Sequence, residues 1–200
     1  MTQPLHKDRA GATLGMWLFL FTELILFGGL FLLYAVYLAR YPHDFAAGGK
    51  ELNVAFGTVN TVVLLTSSLL AAMSVTAIQR CQQAPAVRLL LGTIGCAVIF
   101  LGIKYVEWKA KFSHDIFPGS QRLTSGPPGE SVFFSLYYLT TGLHGLHVLI
   151  GGTLLGFVAV RVQQGKIDGS NYSWLENGAL YWHLVDLIWI FIFPLYYLIL

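Results

Sequence analysis

Charged side chains are scarce in this sequence: 12 Lys and Arg and 10 Asp and Glu make up 11% of its 200 residues. A soluble domain usually has about a quarter of its residues charged, whereas apolar residues here reach 56%. The composition therefore excludes an ordinary soluble domain. The net charge is only +2 and no basic stretch is dense enough to follow a phosphate backbone, so a nucleic-acid partner is excluded as well.

Cysteine is nearly absent. Cys81 and Cys96 have neither a zinc-binding nor a redox spacing. Cys81 falls in a predicted loop and Cys96 in a predicted membrane helix, which makes a disulfide between them improbable. We interpret both as unpaired thiols.

Long apolar runs are abundant, and they recur at the length of about 20 residues that a bilayer core requires of a helix. We predict an all-α membrane protein whose single domain, 1–200, is a bundle of five transmembrane helices. The first apolar run is too long for a signal peptide and is expected to stay in the mature protein. Turn-forming residues occur in the connections, of which RYPHDFAAGGK is one. The predicted helices cover roughly 14–38, 55–79, 88–110, 131–161 and 176–199.

The first span, LGMWLFLFTELILFGGLFLLY, carries a carboxyl group at Glu23. At the helical rise per residue, Glu23 lies roughly 14 Å inside the predicted helix. A charge at that depth has to be paired, protonated or hydrated. Two interpretations stay open: a neutral acid hydrogen-bonded to a neighbouring helix, and a proton-exchanging site.

The third span ends in GIKYVEWKAKF and contains two opposite charges three residues apart, Lys104 and Glu107. This spacing places them on one helix face as an ion pair. They lie within about two turns of the membrane edge, where a Lys side chain can extend to the headgroups. We favour a structural pair near the interface.

The fourth span carries His144 and His147, also three residues apart, with several glycines around them. Histidines in a membrane helix raise the possibility of haem or metal ligation. Two positions on one helix do not bracket a haem, however, and no further ligands complete a metal shell. We favour interhelical hydrogen bonds. Gly152 and Gly156 form a small-xxx-small step that lets another backbone approach.

The last span contains YWHLVDLIW, in which His183 and Asp186 share a face. Glu176 falls on nearly the same stripe. Such a stripe has to face protein or internal water rather than lipid. We expect the Asp186 carboxylate to accept a hydrogen bond from the His183 ring, which would compensate both buried groups.

Several longer motifs follow one another along the chain: FLFTELILFGGLF, VNTVVLLTSS, KYVEW, SVFFSLYYLTTGLHGLHVLIGG and ENGALYWHLVDLIWIFIF. Together they closely resemble subunit III of the haem–copper oxidases, the cytochrome c oxidase subunit III family, over nearly all of residues 14–199. The chain is similar to the short five-helix bacterial form, because it lacks the two additional N-terminal helices of the seven-helix form.

The resemblance implies a subunit that binds no redox metal, since haem and copper belong to the partner subunits. It implies packing beside the catalytic subunit I in a complex with subunit II, phospholipid held between the helices, and a role in proton uptake and lasting turnover. Glu23 matches the carboxylate that carbodiimides modify in the family. The family's pattern has Gln where this chain has Lys104, so no family role carries over to that position.

Other polar residues match family positions. Four of them belong to the motif of the second span: Asn60, Thr61, Ser67 and Ser68. The remainder match its intramembrane polar positions: Glu107, His144, His147, His183 and Asp186.

From this resemblance we expect an accessory subunit of a proton-moving terminal oxidase that takes electrons from cytochrome c. Within the family, the alternatives are subunit III of a quinol oxidase and the related accessory protein of nitric oxide reductases. Outside it, the alternatives are a stand-alone carrier or proton channel and a stand-alone haem enzyme. No inverted repeat supports a carrier.

The basic residues barely indicate the topology, because about six lie on the N-terminal face and about five on the other. We expect a multi-pass protein of the bacterial inner membrane with a cytoplasmic N-terminus. Tyr196 and Tyr197 are interpreted as interfacial anchors. The faces that carry Phe133 and Phe134 would suit lipid or partner contact, and these two residues are left undecided.

Overall fold

Five long helices form the bundle in the computed structural model, which describes residues 9–169 and 171–198. Each is long and apolar enough to cross a membrane, which confirms the predicted all-α class. Apart from a bridge between Asp168 and Asn171, the described residues form no β-structure. The helices are α1 (Arg9–Arg40), α2 (Pro42–Lys50), α3 (Val54–Gln79), α4 (Gln83–Ser113), α5 (Gln121–Ser125), α6 (Pro128–Gln163) and α7 (Ser173–Phe193).

Most of the long helices extend a few residues beyond the predicted spans. The predictions followed the apolar runs, whereas the helices continue through polar turns that no hydrophobic pattern marks. The last helix changes from α-helical to π-helical hydrogen bonding at its end, where Pro194–Leu198 forms a π-helix directly after α7. The predicted end of the last span, at residue 199, lies outside the described residues.

Two short helices, α2 and α5, occupy segments that were interpreted as connections. Pro42 suits the first turn of α2, where its missing N–H is not needed. Gly48 fits because a Cβ there would lie 2.5 Å from the Phe133 ring. The Pro and Gly residues that predicted a turn are therefore positions in a closely packed helix.

α7 is the central helix of the bundle. It packs against α1, α3 and α6, and α3 packs in turn against α4. In the most apolar stretch of the last span, 56% of the residues are buried inside the protein, compared with 11% in that of α1. At Gly151 of α6, a Cβ would lie 2.9 Å from the Trp182 ring of α7, so this glycine permits the closest approach of these two helices. The predicted Gly152 and Gly156 step has only ordinary contacts with α4, to Ala97 and Ile94.

The short helices and the π-helix cover one end of the bundle, opposite the start of α1. α2 contacts α6 and the π-helix, and α5 contacts α6. The Gly129 backbone N–H at the start of α6 donates to the Asp44 carboxylate over 3.1 Å, which places a negative charge at a helix N-terminus. The Tyr34 hydroxyl of α1 donates to the Leu195 carbonyl over 2.7 Å. Both cysteines are unpaired, as predicted.

Candidate functional site

The polar residues singled out in the sequence do not form one network. Lys104 and Glu107 meet near the covered end of the bundle. Glu23 meets His147 farther along α6. The remaining positions divide between the α3–α7 interface and the protein interior, and Glu176 is exposed in the first turn of α7.

Lys104 and Glu107 form the predicted ion pair, with Nζ and Oε2 2.9 Å apart. The Lys104 ammonium also donates to the Tyr137 and Tyr197 hydroxyls over 2.9 and 3.0 Å. Both phenols donate in turn to the Glu107 carboxylate, over 2.9 and 2.8 Å. The side chains of Lys104 and Glu107 are 8% and 3% exposed. Lys104 therefore does not extend to the membrane surface, because a complete set of acceptors surrounds it inside the protein.

This cluster of Lys104, Glu107, Tyr137 and Tyr197 is satisfied in its ionised form. The three N–H donors of the ammonium have three oxygen acceptors. Glu107 Oε2 accepts from the ammonium and Oε1 from Tyr137, and the one hydroxyl hydrogen of Tyr197 lies within reach of both oxygens. If Glu107 were protonated, its O–H would face groups that already donate to it, which is unfavourable. The arrangement fits a structural ion pair that links α4, α6 and the π-helix. It leaves no donor or acceptor of the cluster free to exchange a proton.

Glu23 and His147 form the second polar contact, between α1 and α6. Glu23 Oε2 lies 2.9 Å from His147 Nε2, and the two side chains are 13% and 10% exposed. His147 Nδ1 lies 2.8 Å from the Leu143 carbonyl oxygen. The Phe27 ring packs edge-on against the imidazole, with the ring centroids 5.3 Å apart.

This geometry determines how many protons the pair holds. Nδ1 has to carry a hydrogen, because a carbonyl oxygen can only accept. Nε2 and Oε2 then share a second proton, as carboxylic acid with neutral imidazole or as carboxylate with imidazolium. Without that proton, two acceptors would face each other at 2.9 Å in a site of low dielectric. The pair is thus neutral overall, and a single proton can move between its two atoms.

His183 and Asp186 are not paired with each other, contrary to the expectation from their spacing. His183 Nδ1 lies 2.7 Å from the Ser68 hydroxyl of α3. Asp186 points into the interior, where neither carboxylate oxygen has a hydrogen-bond partner in the described part of the chain. Three positions are only about 60° apart around a helix, so the spacing allowed a contact but did not ensure it. The His183 ring instead reaches Ser68 of α3, whereas Asp186 is 3% exposed.

The motif of the second span docks α3 onto α7 through indole N–H groups. Trp182 donates to the Ser67 hydroxyl and Trp189 to the Thr61 hydroxyl, each over 3.0 Å. Thr61, the earlier residue on α3, pairs with Trp189, the later residue on α7, so the two helices are antiparallel. Asn60 is fully buried, and its amide has no partner among the described residues.

His144 lies in the protein interior beside two aromatic rings that pack against each other. Its centroid is 5.4 Å from that of Phe100 and 5.2 Å from that of Trp189. Neither ring nitrogen has a hydrogen-bond partner in the described ranges, so the predicted interhelical bond is present for His147 but not for His144. No three His, Cys, Asp or Glu side chains of the described residues come together as a metal site. That the chain binds no haem or copper stays a prediction.

Sequence reasoning missed the aromatic partners of these sites. Tyr137 was not singled out, and Tyr196 and Tyr197 were interpreted as interfacial anchors. They are 1% and 0% exposed, and Tyr196 shares a 3.0 Å hydrogen bond with Thr140. Phe133 and Phe134, which the sequence left undecided, are 1% and 0% exposed and belong to the core. A signal was present in the residue type, because a tyrosine places a polar hydroxyl on an apolar ring and can satisfy a buried charge of a neighbouring helix.

Comparison with known protein families matches residues 5–199 to a family described as cytochrome c oxidase subunit III. Cytochrome c oxidase subunit 3 of Thermostichus vulcanus is 31% identical to this chain over 97% of the chain and 90% of its own length. Cytochrome bo(3) ubiquinol oxidase subunit 3 of Pseudomonas aeruginosa is 27% identical over 96% of the chain and 87% of its own length. Heme-copper oxidase subunit I+III of Aeropyrum pernix is 29% identical over 98% of the chain, which spans only 23% of that protein.

Proposed function

Because the chain belongs to the cytochrome c oxidase subunit III family, we propose that it is the accessory subunit III of an aerobic respiratory terminal oxidase. The complex takes electrons from cytochrome c, reduces oxygen to water and moves protons. Subunits I and II hold the haem and copper. The name of the Aeropyrum relative, subunit I+III, supports subunit I as the neighbour, because both parts belong to one chain there.

The observation that carries a role in proton uptake is the Glu23–His147 contact. It is the intramembrane pair that holds an exchangeable proton, and it lies at the edge of the bundle with both side chains partly exposed. A proton relay in the membrane requires that a proton can pass between groups without leaving an unpaired charge, and passage between Glu23 and His147 keeps the pair neutral overall. The ion pair of Lys104 and Glu107 is fully satisfied and does not meet this requirement.

The composition of the purified complex tests the function. With an affinity tag on this chain, we expect the catalytic haem–copper subunit and a subunit II with a copper-binding donor domain to co-purify. We expect the separated chain to be colourless. A chain that is isolated alone with stoichiometric iron or copper would contradict the proposal.

The second candidate is the same subunit in a quinol oxidase. The Pseudomonas relative, which is named as a ubiquinol oxidase subunit, is nearly as similar to this chain as the Thermostichus subunit. A co-purifying subunit II without a copper-binding domain, together with oxidation of quinol but not of cytochrome c, would select this candidate.

A phospholipid in a groove of this subunit is part of the proposal. A cavity of about 320 Å³ lies between α1, α6 and α7, with Met16 and Leu154 on its apolar walls and Ser173 and Asn177 at its polar edge. Its mixed lining fits an acyl chain next to a headgroup. Lipid extraction from the purified complex, followed by mass spectrometry, tests for tightly held phospholipid.

We place the subunit in the bacterial inner membrane with a cytoplasmic N-terminus. Five spanning helices put the two ends of the described chain on opposite sides of the bilayer. Reporter fusions test this topology. A reporter that is active only in the cytoplasm should be active at the N-terminus and inactive after residue 198.

A further inference from the structure

One stripe of α7 faces out of the bundle between α1 and α3. On its α1 side, the rings of Phe31 and Phe191 pack 6.2 Å apart. On its α3 side, the two indole hydrogen bonds join the helices. Between these contacts lies a groove whose floor is formed by exposed or half-exposed residues of α7: Glu176, Leu180, His183, Leu187 and Ile190.

His183 lies at the middle of this groove and near the middle of the membrane. It is about 15 Å along α7 from Ser173, and Ser68 is about 21 Å along α3 from Val54. The Ser68 hydroxyl occupies His183 Nδ1. Within the part of the chain that the structure describes, His183 has no other hydrogen-bond partner, so Nε2 is left to the surroundings in either tautomer.

Lipid does not satisfy this nitrogen. Acyl chains neither donate nor accept hydrogen bonds, and an unsatisfied polar group in the hydrocarbon region is costly. Water is not favoured beside it, because its exposed neighbours are apolar. Leu65 and Leu69 of α3 are 48% and 60% exposed, and Leu187 of α7 is 44% exposed.

Among the described residues, several exposed positions on α3 and in the middle of α4 and α6 need no such partner. The hydroxyls of Thr58 and Thr66 on the outer face of α3 donate to carbonyls of their own helix. Exposed positions in the middle of α4 and α6, among them Val98, Ile99, Leu146 and Leu149, are apolar. The groove around His183 is therefore the surface whose chemistry calls for a protein partner.

We propose that the groove between α1 and α3 is the docking surface for a transmembrane helix of a partner subunit. That helix presents a hydroxyl or carboxamide side chain to His183 Nε2, because such groups can donate or accept and so fit both tautomers. Leucine and isoleucine side chains of α3 and α7 pack around this central hydrogen bond. The inference rests on the proposed function, in which this chain is one subunit of an oxidase.

Photo-crosslinking in native membranes tests the location. The amino acid p-benzoylphenylalanine is placed at Leu187 in one variant and at Leu149, which is exposed on α6, in the matched control. We expect Leu187 alone to give a crosslink to another oxidase subunit. Partner crosslinks from Leu149 only, or crosslinks from Leu187 to lipid only or to a second copy of this chain, would overturn the docking surface.

Substitution at His183 tests the hydrogen bond. His183→Gln keeps a donor and an acceptor, whereas His183→Leu keeps only the apolar volume. We expect His183→Gln to remain in the detergent-washed complex nearly as well as wild type and His183→Leu to be retained roughly fivefold less, the factor that corresponds to about 1 kcal/mol. Equal retention of both variants would overturn the proposed hydrogen bond.

These experiments separate the two proposals. If a tagged chain co-purifies with oxidase subunits but crosslinks only through Leu149, the function stands and the docking surface is wrong. If no oxidase subunit co-purifies, the function itself is wrong. The crosslinking variants retain His183, so they remain informative if His183→Leu does not fold.

Discussion

Glu23 and Glu107, two carboxyl groups in spanning helices, have opposite surroundings. Glu107 accepts hydrogen bonds from an ammonium and two phenols and is 3% exposed. Glu23 shares one proton with a single imidazole and is 13% exposed. Burial alone does not distinguish them; the number of donors aimed at each carboxylate does.

Glu23→Gln should leave assembly intact and abolish carbodiimide labelling of the subunit. The Gln amide can donate an N–H to His147 Nε2, while Nδ1 continues to donate to Leu143, so the contact is conserved without an acid. Labelling is measured by mass spectrometry of the treated complex, with the wild type as control. Label that persists in the variant, for example on Glu107, would remove Glu23 from its proposed role.

Lys104→Met should destabilise the protein by about 3–5 kcal/mol, because it leaves a buried carboxylate without its cation. The double variant Lys104→Met, Glu107→Leu should recover most of this loss, because it removes both charges. The hydroxyls of Tyr137 and Tyr197 remain and, at 3.3 Å, can form a hydrogen bond with each other. Thermal unfolding of the purified complex measures both variants. A double variant no more stable than the single one would contradict the ion-pair assignment.

At the scale of the helices, the contact between α6 and α7 depends on a missing side chain at Gly151. The Trp182 ring lies 2.9 Å from the position that a Cβ of residue 151 would take, and the same indole donates to Ser67 of α3. One tryptophan thus joins three helices. A change on α6 is expected to affect the α3–α7 interface as well.

Gly151→Ala should lower the melting temperature of the complex, because the added Cβ would lie 2.9 Å from an aromatic carbon and force the helices apart. Gly102→Ala is the matched control, since a Cβ there meets no atom within 4 Å. A glycine in a helix also costs roughly 1 kcal/mol relative to alanine, so the control should be neutral or slightly stabilising. Equal effects of the two substitutions would contradict the close packing.

The long helices were predictable because apolar runs of bilayer length have few alternative structures. α2 was not, because its Pro42 and Gly48 are also typical of turns, and its helix packs through tertiary contacts, such as that of Gly48 with Phe133, that the local sequence does not show. Among the site contacts, the pair of Lys104 and Glu107 follows from spacing on one helix. Glu23 and His147 are 124 residues apart, and their contact depends on how α1 packs against α6.

At the scale of the whole molecule, the bundle has a central helix and two unequal sides. α1 packs on one side of α7 and the pair α3 and α4 on the other. The polar cluster and the proton-sharing pair lie at different depths, since Tyr137 and His147 are about 15 Å apart along α6. The fully hydrogen-bonded cluster therefore lies toward one end of the bundle, and the slightly more exposed pair of Glu23 and His147 lies nearer its middle.

Deletion of this chain from the oxidase should spare the haem content of the complex and shorten its active lifetime. The proposed function assigns haem and copper to the partner subunits, and proton delivery and lipid contacts to this chain. Visible spectra measure the haem, and oxygen consumption during extended turnover measures the lifetime. Loss of haem from the remaining complex would mean that the chain is a different subunit.

The hydroxyl of Tyr197 reaches back to Lys104, which the ribosome makes 93 residues earlier. During synthesis, α4 therefore enters the bilayer with a charged pair that lacks one of its phenol ligands until translation has passed the final helix. Until then, the hydrogen bonds around this buried charge are incomplete in the nascent subunit.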